Sequence, residues 1–308
     1  MKVKGSQNSV SVFIMLARSA MKELSKNDPL RMAGATAFFT TFALPPILII
    51  LIQVLGLVFN PQRITHQLVI KLSEIIGHES VRQVVNTLMS FRKLAQNSFI
   101  TIGGFIFLLF VATTLFKVIK SSMNQVWKIK MVKRRSLVRV LKGRWHSIFV
   151  ILVAGLLFTL GLFIEGLQAY MGNYISELSP LLALYFNGVL NHLISIIIVT
   201  AWFSILFRYL PDARATWKTV LVGAFVTSLL FNAGKLILHW LLTYNNITTL
   251  YGASASVVLL LLFVFYSSLI LYYGTAFTKV WATHKGQPIK PLSYAIHYHL
   301  AEADANED

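Results

Sequence analysis

The sequence predicts an all-α polytopic membrane protein. It has six transmembrane helices, cytoplasmic N- and C-termini, and amphipathic helices before span 1 and between spans 1 and 2. Three observations carry this prediction. The 308 residues are 56% hydrophobic, with a mean hydropathy of +0.67. Only 13% of residues are charged, against roughly 25% in an average soluble domain. Six apolar runs approach the length of about 20 residues that a membrane-spanning helix needs. Lysine and arginine are also unevenly shared among the connections, as expected where basic residues are held on the cytoplasmic side.

Residues 1–31 read as a cytoplasmic amphipathic segment. Val10, Phe13, Ile14, Ala17, Met21 and Leu24 recur at helical spacing, with Arg18, Lys22, Glu23 and Lys26 opposite. Such a helix either lies in the membrane interface or packs on the protein's own base. The MKVKGSQNSVSV start lacks the pattern of a removable signal peptide.

The transmembrane domain is predicted over 32–281. Its first span, Ala33–Phe59, carries Pro45 and Pro46 near the middle, where two lost donors should kink or break the helix. Thr36, Thr40 and Thr41 are near enough to help satisfy freed carbonyls, and the kink either lines a cavity or is packed over. Asn60 and Pro61 then open residues 61–97, read as two amphipathic helices outside the membrane core. One has a stripe of Ile64, Leu68, Leu72 and Ile75, the other of Val81, Val84, Val85 and Leu88.

The remaining spans are predicted at Phe99–Val118, Ser147–Gln168, Leu181–Phe207, Thr219–Leu242 and Ser254–Thr278. Gly103 and Gly104 in the second span allow close helix approach. A basic loop over 117–146 separates the second and third. Residues 282–308, with Pro288, Pro291 and an acidic end, read as a disordered cytoplasmic tail.

Counting lysine and arginine orients the chain. The N-terminal segment has six, the second connection ten, the fourth three and the tail three. On the other side the first connection has five and the third and fifth none. This asymmetry also accounts for the net charge of +17 without nucleic acid. Lys133, Arg134, Arg135 and Arg139 in the basic loop are then placed to meet anionic lipid headgroups.

The strongest candidate for chemistry is Lys235, about sixteen residues into the fifth span and roughly 24 Å along it. A charge inside a span costs about 3 kcal/mol on insertion scales, so it marks a functional position unless its stem carries the amine to the headgroups. Asn232 and His239 share its helical face. Glu165, the only acidic residue inside a predicted span, is the expected counter-charge, and Asn187, Asn191 and His192 approach from the fourth span. Together they would make a polar site open to the outer side. Gly223 and Gly234 would let a neighbouring helix come close.

Catalysis is not expected. There is no cysteine, no GxSxG, HExxH or phosphate loop, and no paired carboxylates or metal-ligand cluster, so no cofactor or metal is expected either.

The blocks LRMAGATAFFTTFALPPILIIL, SSMNQVW, RYLPDARATWKTVLVGAFVTSLLFNAGK and YGASASVVLLLLFVFYSSLILYYGTAFTKV carry a resemblance. From about Asp28 to Trp281 the chain resembles the YihY/BrkB family of bacterial integral membrane proteins, formerly labelled ribonuclease BN. The resemblance implies six helices in the bacterial inner membrane. It also implies roles of transporter-like, serum-resistance or envelope-lipid type, with the nuclease label a misassignment. The chain departs from the family pattern at Ala276, where glutamate is usual, at Ala43, where serine is frequent, and at Pro45, which adds a proline before Pro46. A role resting on that glutamate has no carboxylate to rest on here.

The expected function is transporter-like movement or handover of an anionic or amphipathic molecule, a lipid among the candidates. The alternative is a non-transporting scaffold for an envelope protein partner, using 61–97 or the basic loop. A membrane-bound ribonuclease is the remote alternative.

Overall fold

The computed structural model describes residues 9–56, 65–66, 69–70, 73, 81–82, 85–86, 98–132, 180–244 and 255–298. Six helices are described: α1 (Ser9–Ser25), α2 (Pro29–Gly56), α3 (Ser98–Val126), α4 (Pro180–Tyr209), α5 (Trp217–Tyr244) and α6 (Ala255–His284). Four short strands accompany them: β1 (Ile129–Met131), β2 (Ala213–Arg214), β3 (Lys290–Pro291) and β4 (Ala295–His297). The third predicted span, most of 61–97 and residues 133–146 of the basic loop lie outside the described residues.

α6 is the central helix, packed against α1, α2, α3 and α5, while α4 packs on α5 and α3 on α2. Among the described residues, Trp217–Ile237 and Val257–His284 are long and apolar enough to cross a membrane. α5 and α6 can approach closely because their glycines interlock. A Cβ on Gly223 would stand 1.9 Å from Thr278 Oγ1, and one on Gly274 1.8 Å from Thr227 Oγ1. Small residues are how membrane helices bring backbones together. The main apolar cluster gathers Met123, Val126 and Trp127 at the end of α3, Phe203, Leu206, Phe207 and Leu210 at the end of α4, and Leu271, Tyr272 and Ala276 of α6.

Several expectations need correction. α2 is helical from Pro29 through Pro45 and Pro46 to Gly56, so the expected break is not made. Membrane helices tolerate proline where neighbouring groups and local adjustment meet the freed carbonyls. Upstream, Thr36, Thr40 and Thr41 each bond the carbonyl four residues back. Pro29 sits in the first turn after Asp28, whose left-handed backbone (φ 51°) turns the chain out of α1.

α1 packs on the protein through Leu16 and Ala20, set against Val226 and Phe277. Of the predicted apolar stripe, Leu24 is buried while Phe13, Ile14 and Met21 are exposed. Val81 is buried with Ala37, Leu260 and Val264. That sets Val81 against α2 and α6. Val84, Leu88 and the stripe Ile64, Leu68, Leu72 and Ile75 lie outside the described residues.

The basic loop begins later than expected, because α3 stays helical to Val126. The tail is folded as far as Tyr298: β4 pairs antiparallel with β1, and β3 with β2. Its backbone groups are satisfied by strand pairing with two other loops, a partnership that low hydrophobicity in the tail itself does not reveal. The predicted all-α class therefore gains two small two-stranded sheets at this base.

Candidate functional site

Two polar groups stand out, one between α4 and α5 and one at the base. In the first, Lys235 Nζ lies 3.4 Å from Ser195 Oγ. Ser195 Oγ donates to Asn232 Oδ1 at 2.9 Å, and Asn232 Nδ2 donates to the Ser228 carbonyl at 2.9 Å. Ser228 Oγ in turn donates to the Ile196 carbonyl at 2.9 Å. Ser195 is half-way along α4, so the amine is turned toward the middle of that helix. Helical periodicity brings Ser228, Asn232 and Lys235 onto one side of α5, which is the side that meets α4.

Lys235 is half-buried, with exposed Leu236 and Ile237 beside it and exposed Leu193 and Ile197 on α4. Behind it, Gly234 admits Tyr266 of α6: a Cβ there would lie 1.4 Å from the phenol oxygen. That phenol donates to the Leu230 carbonyl at 2.9 Å. Thr200, further along α4, buries a hydroxyl that has no partner among the described residues. Buried hydroxyls are nearly always bonded.

Of the predicted site residues, Lys235 and Asn232 are brought together, with Ser195 as the bridge. His192 and Asn191 belong to α4 and His239 to α5, but their side chains lie outside the described residues, as do those of Pro45 and Pro46. Glu165, Lys133, Arg134, Arg135 and Arg139 lie outside them altogether. Sequence reasoning missed Ser195, although it stands one helical turn from Asn191 and shares the same polar signal.

The second group, also missed, centres on Asp212 in the turn between α4 and α5. Asp212 is fully buried. Its carboxylate pairs with Lys120 Nζ at 2.6 Å and accepts from Asn124 Nδ2 at 2.7 Å and Tyr294 Oη at 2.9 Å. The Asp212 N–H returns a bond to Asn124 Oδ1 at 2.9 Å, and its carbonyl accepts from the Leu292 N–H at 3.0 Å. Burial, the Asp212 charge and its hydrogen bond together push the Tyr294 phenol up to about 12. It therefore stays a donor at neutral pH.

Beside this group, Trp127 Nε1 donates to the Thr275 carbonyl at 2.9 Å, and Lys279 bonds Glu23 at 2.6 Å and the Val126 carbonyl at 2.8 Å. Ala276 is fully buried in the same region. The sequence did hold a hint of the hub, since Asp212 is the only acidic residue between Glu177 and Glu302.

The two groups differ chemically. Each carboxylate oxygen of Asp212 is engaged by this chain, so the hub can lock elements together but offers no open position to a ligand. The Lys235 group puts a cation and a hydroxyl at a helix–helix boundary beside exposed apolar side chains. That combination suits a molecule with a negative head and an apolar body.

Sequence comparison finds relatives among membrane proteins. A UPF0761 membrane protein of Pseudomonas paraeruginosa is 27% identical over 249 residues, which cover 79% of this chain and 56% of the relative. One from Saccharophagus degradans is 23% identical over 265 residues, covering 85% of this chain and 58% of the relative. One from Legionella pneumophila is 21% identical over 303 residues, covering 96% and 69%. The chain thus spans little more than half the length of the Pseudomonas and Saccharophagus proteins. No solved structure matches it. The family model for Virulence factor BrkB matches residues 20–294, from within α1 to the turn before β4. With nearly all of its described fold inside that match, the chain is a membrane protein and belongs to the BrkB family.

Proposed function

We propose that this is a six-helix, multi-pass protein of the bacterial inner membrane, with both termini cytoplasmic, that moves or hands over an anionic or amphipathic molecule. A lipid is the amphipathic candidate. Lys235 recognises the negative group, and Ser195 and Asn232 hold the amine in place. The observation that carries this reading is the direction of Lys235: its amine is drawn onto Ser195 at mid-helix. A lysine that only snorkelled would extend toward the nearer headgroups. Exposed Leu193, Ile197 and Leu236 supply an apolar wall beside the cation. Glu165 remains the proposed counter-charge, His192, Asn191 and His239 the proposed remaining lining, and a kink at Pro45 and Pro46 the proposed flexible element of α2. Lys133, Arg134, Arg135 and Arg139 are proposed to rest on anionic headgroups. The role is non-catalytic.

The test is reconstitution of the full chain in proteoliposomes, following fluorescent anionic and zwitterionic lipid analogues from leaflet to leaflet. Wild type should move the anionic analogue faster, and Lys235→Met should lose that preference while Lys235→Arg keeps part of it. Unchanged movement by a normally expressed Lys235→Met protein would remove the residue from the mechanism. A second reading, a scaffold for an envelope protein partner, draws its support from the closely packed base around Trp127 and Tyr272. It predicts no lipid movement by any variant.

A further inference from the structure

α1 is a helix with four unlike sides. Leu16, Ala20 and Leu24 are buried against the protein. There the helix crosses α6 between Tyr273, whose phenol donates to the Ala17 carbonyl at 3.2 Å, and Trp281. At 3.6 residues per turn, the next side round carries Ile14 and Met21, which are 47% and 55% exposed. The third carries Arg18 and Lys22, and the fourth Met15 and Ser19. Glu23, the one acidic residue of α1, is taken up by Lys279, so no acid of α1 itself balances the basic side. Ser11, Ile14, Met15, Arg18, Ser19 and Lys22 line an open depression of about 360 Å³ along this free surface.

That sequence of sides has a physical match. A helix lying in a membrane interface against spanning helices meets, in cyclic order, protein, acyl chains, headgroups and water. α1 presents a buried face, an apolar flank, a basic stripe and a mixed side in the same order. Its height also fits. It crosses α6 between a tyrosine and a tryptophan, the residues that gather at membrane interfaces. We propose that the free surface of α1 docks on anionic lipid of the adjoining leaflet, with Ile14 and Met21 among the acyl chains and Arg18 and Lys22 on the headgroup phosphates. The proposal does not depend on the role given to Lys235. It assigns lipid contact to residues rigidly seated on α6, so that headgroup charge acts on the central helix of the fold.

The chain has no cysteine, so single probes can be placed directly. Full-length Ile14→Cys, Met21→Cys and Met15→Cys proteins would be put into nanodiscs of phosphatidylcholine, with and without phosphatidylglycerol. Each would be tested with a water-soluble maleimide and, after labelling with a fluorophore, with a nitroxide quencher carried on the lipid chains. The proposal expects Ile14→Cys and Met21→Cys to react several-fold more slowly than Met15→Cys and to be quenched. Phosphatidylglycerol should deepen the quenching, and adding Arg18→Gln with Lys22→Gln should abolish that deepening. Equal maleimide reactivity at the neighbouring positions 14 and 15 would overturn it, as would quenching indifferent to phosphatidylglycerol. Protection of Ile14→Cys from both reagents would show a protein partner on this face and would overturn it equally.

Discussion

The base of the molecule and the Lys235 level are both polar, yet they are built on opposite terms. At the base, Asp212 is fully enclosed and each of its carboxylate oxygens is engaged by this chain, from α3 and from the loop before β4. At the Lys235 level the amine's contact is longer, the cation is only half-buried, and exposed apolar side chains adjoin it. A saturated buried charge holds elements in one arrangement, whereas a half-buried charge at a helix boundary is within a ligand's reach. The comparison sets a residue that locks the fold against the residue proposed to take a ligand, and substitutions can break it.

The largest effect should come from Asp212→Ala. It would leave Lys120, Asn124 and Tyr294 without the acceptor they share, and removing one partner of a buried pair costs about 3–5 kcal/mol. Thermal unfolding of the purified protein in detergent should show a large drop in midpoint. A double-mutant cycle with Lys120→Met should show strong non-additivity. If Asp212→Ala unfolds like wild type, the base is not a lock.

Next come the glycines that set the α5–α6 distance. Gly274→Ala would put a methyl 1.8 Å from Thr227 Oγ1 and 2.9 Å from Phe207 Cζ, both on fully buried residues. Overpacking of this kind costs about 1–3 kcal/mol. The nearest atoms to a methyl in Gly234→Ala belong to Tyr266, which is half-buried and can swing outward, so it should cost less and be relieved by Tyr266→Ala. Equal losses of thermal stability at the two positions would show that the α5–α6 contact is as tight at the Lys235 level as at the base.

How far these two regions are readable in the sequence follows from their physics. The ends of α4 and α5 and the start of α6 fall within a few residues of the predicted spans, because a membrane span is written in a contiguous apolar run. Lys235 is visible for the same reason: a charge in such a run is conspicuous. Asn232 follows from helical spacing on the same element. The Asp212 hub is not visible, because its members come from residues 120, 124, 212 and 294, and nothing local in sequence ties them together. The fold of the tail is hidden likewise, since β3 and β4 are two and three residues long and exist only by pairing with β2 and β1. On α1 the hydrophobic period is plain, but two of its sides are apolar, and only tertiary contact with Phe277 decides which is buried.

The Glu23–Lys279 pair offers a smaller, pH-dependent effect at the base. Burial alone would raise the Glu23 carboxyl, but the Lys279 hydrogen bond and the charges of Lys279, Lys128 and Lys26 outweigh it and hold it below 4.5. A carboxyl lowered on folding contributes stability that is present above its unfolded value and is lost as pH falls through the folded one. Unfolding midpoints should therefore fall on acidification below about pH 4.5, and Glu23→Gln should flatten that limb while lowering stability modestly at neutral pH. An unchanged acid limb in Glu23→Gln would mean that the pair with Lys279 does not help to hold α1.

The smallest effect on the fold should be at Lys235, and that is where the comparison is sharpest. The Lys235–Ser195 contact is near the outer limit for a hydrogen bond at 3.4 Å, and methionine keeps most of the stem's volume without the charge. Replacing a partly buried cation by an apolar side chain relieves desolvation while surrendering the weak bond to Ser195. The stability of Lys235→Met should therefore stay within about 1 kcal/mol of wild type or rise slightly, read from its unfolding midpoint. A residue whose removal leaves the fold as stable or more so is retained for something other than folding. If Lys235→Met is instead destabilised as severely as Asp212→Ala, the amine is a second structural lock, and the difference between the two regions disappears.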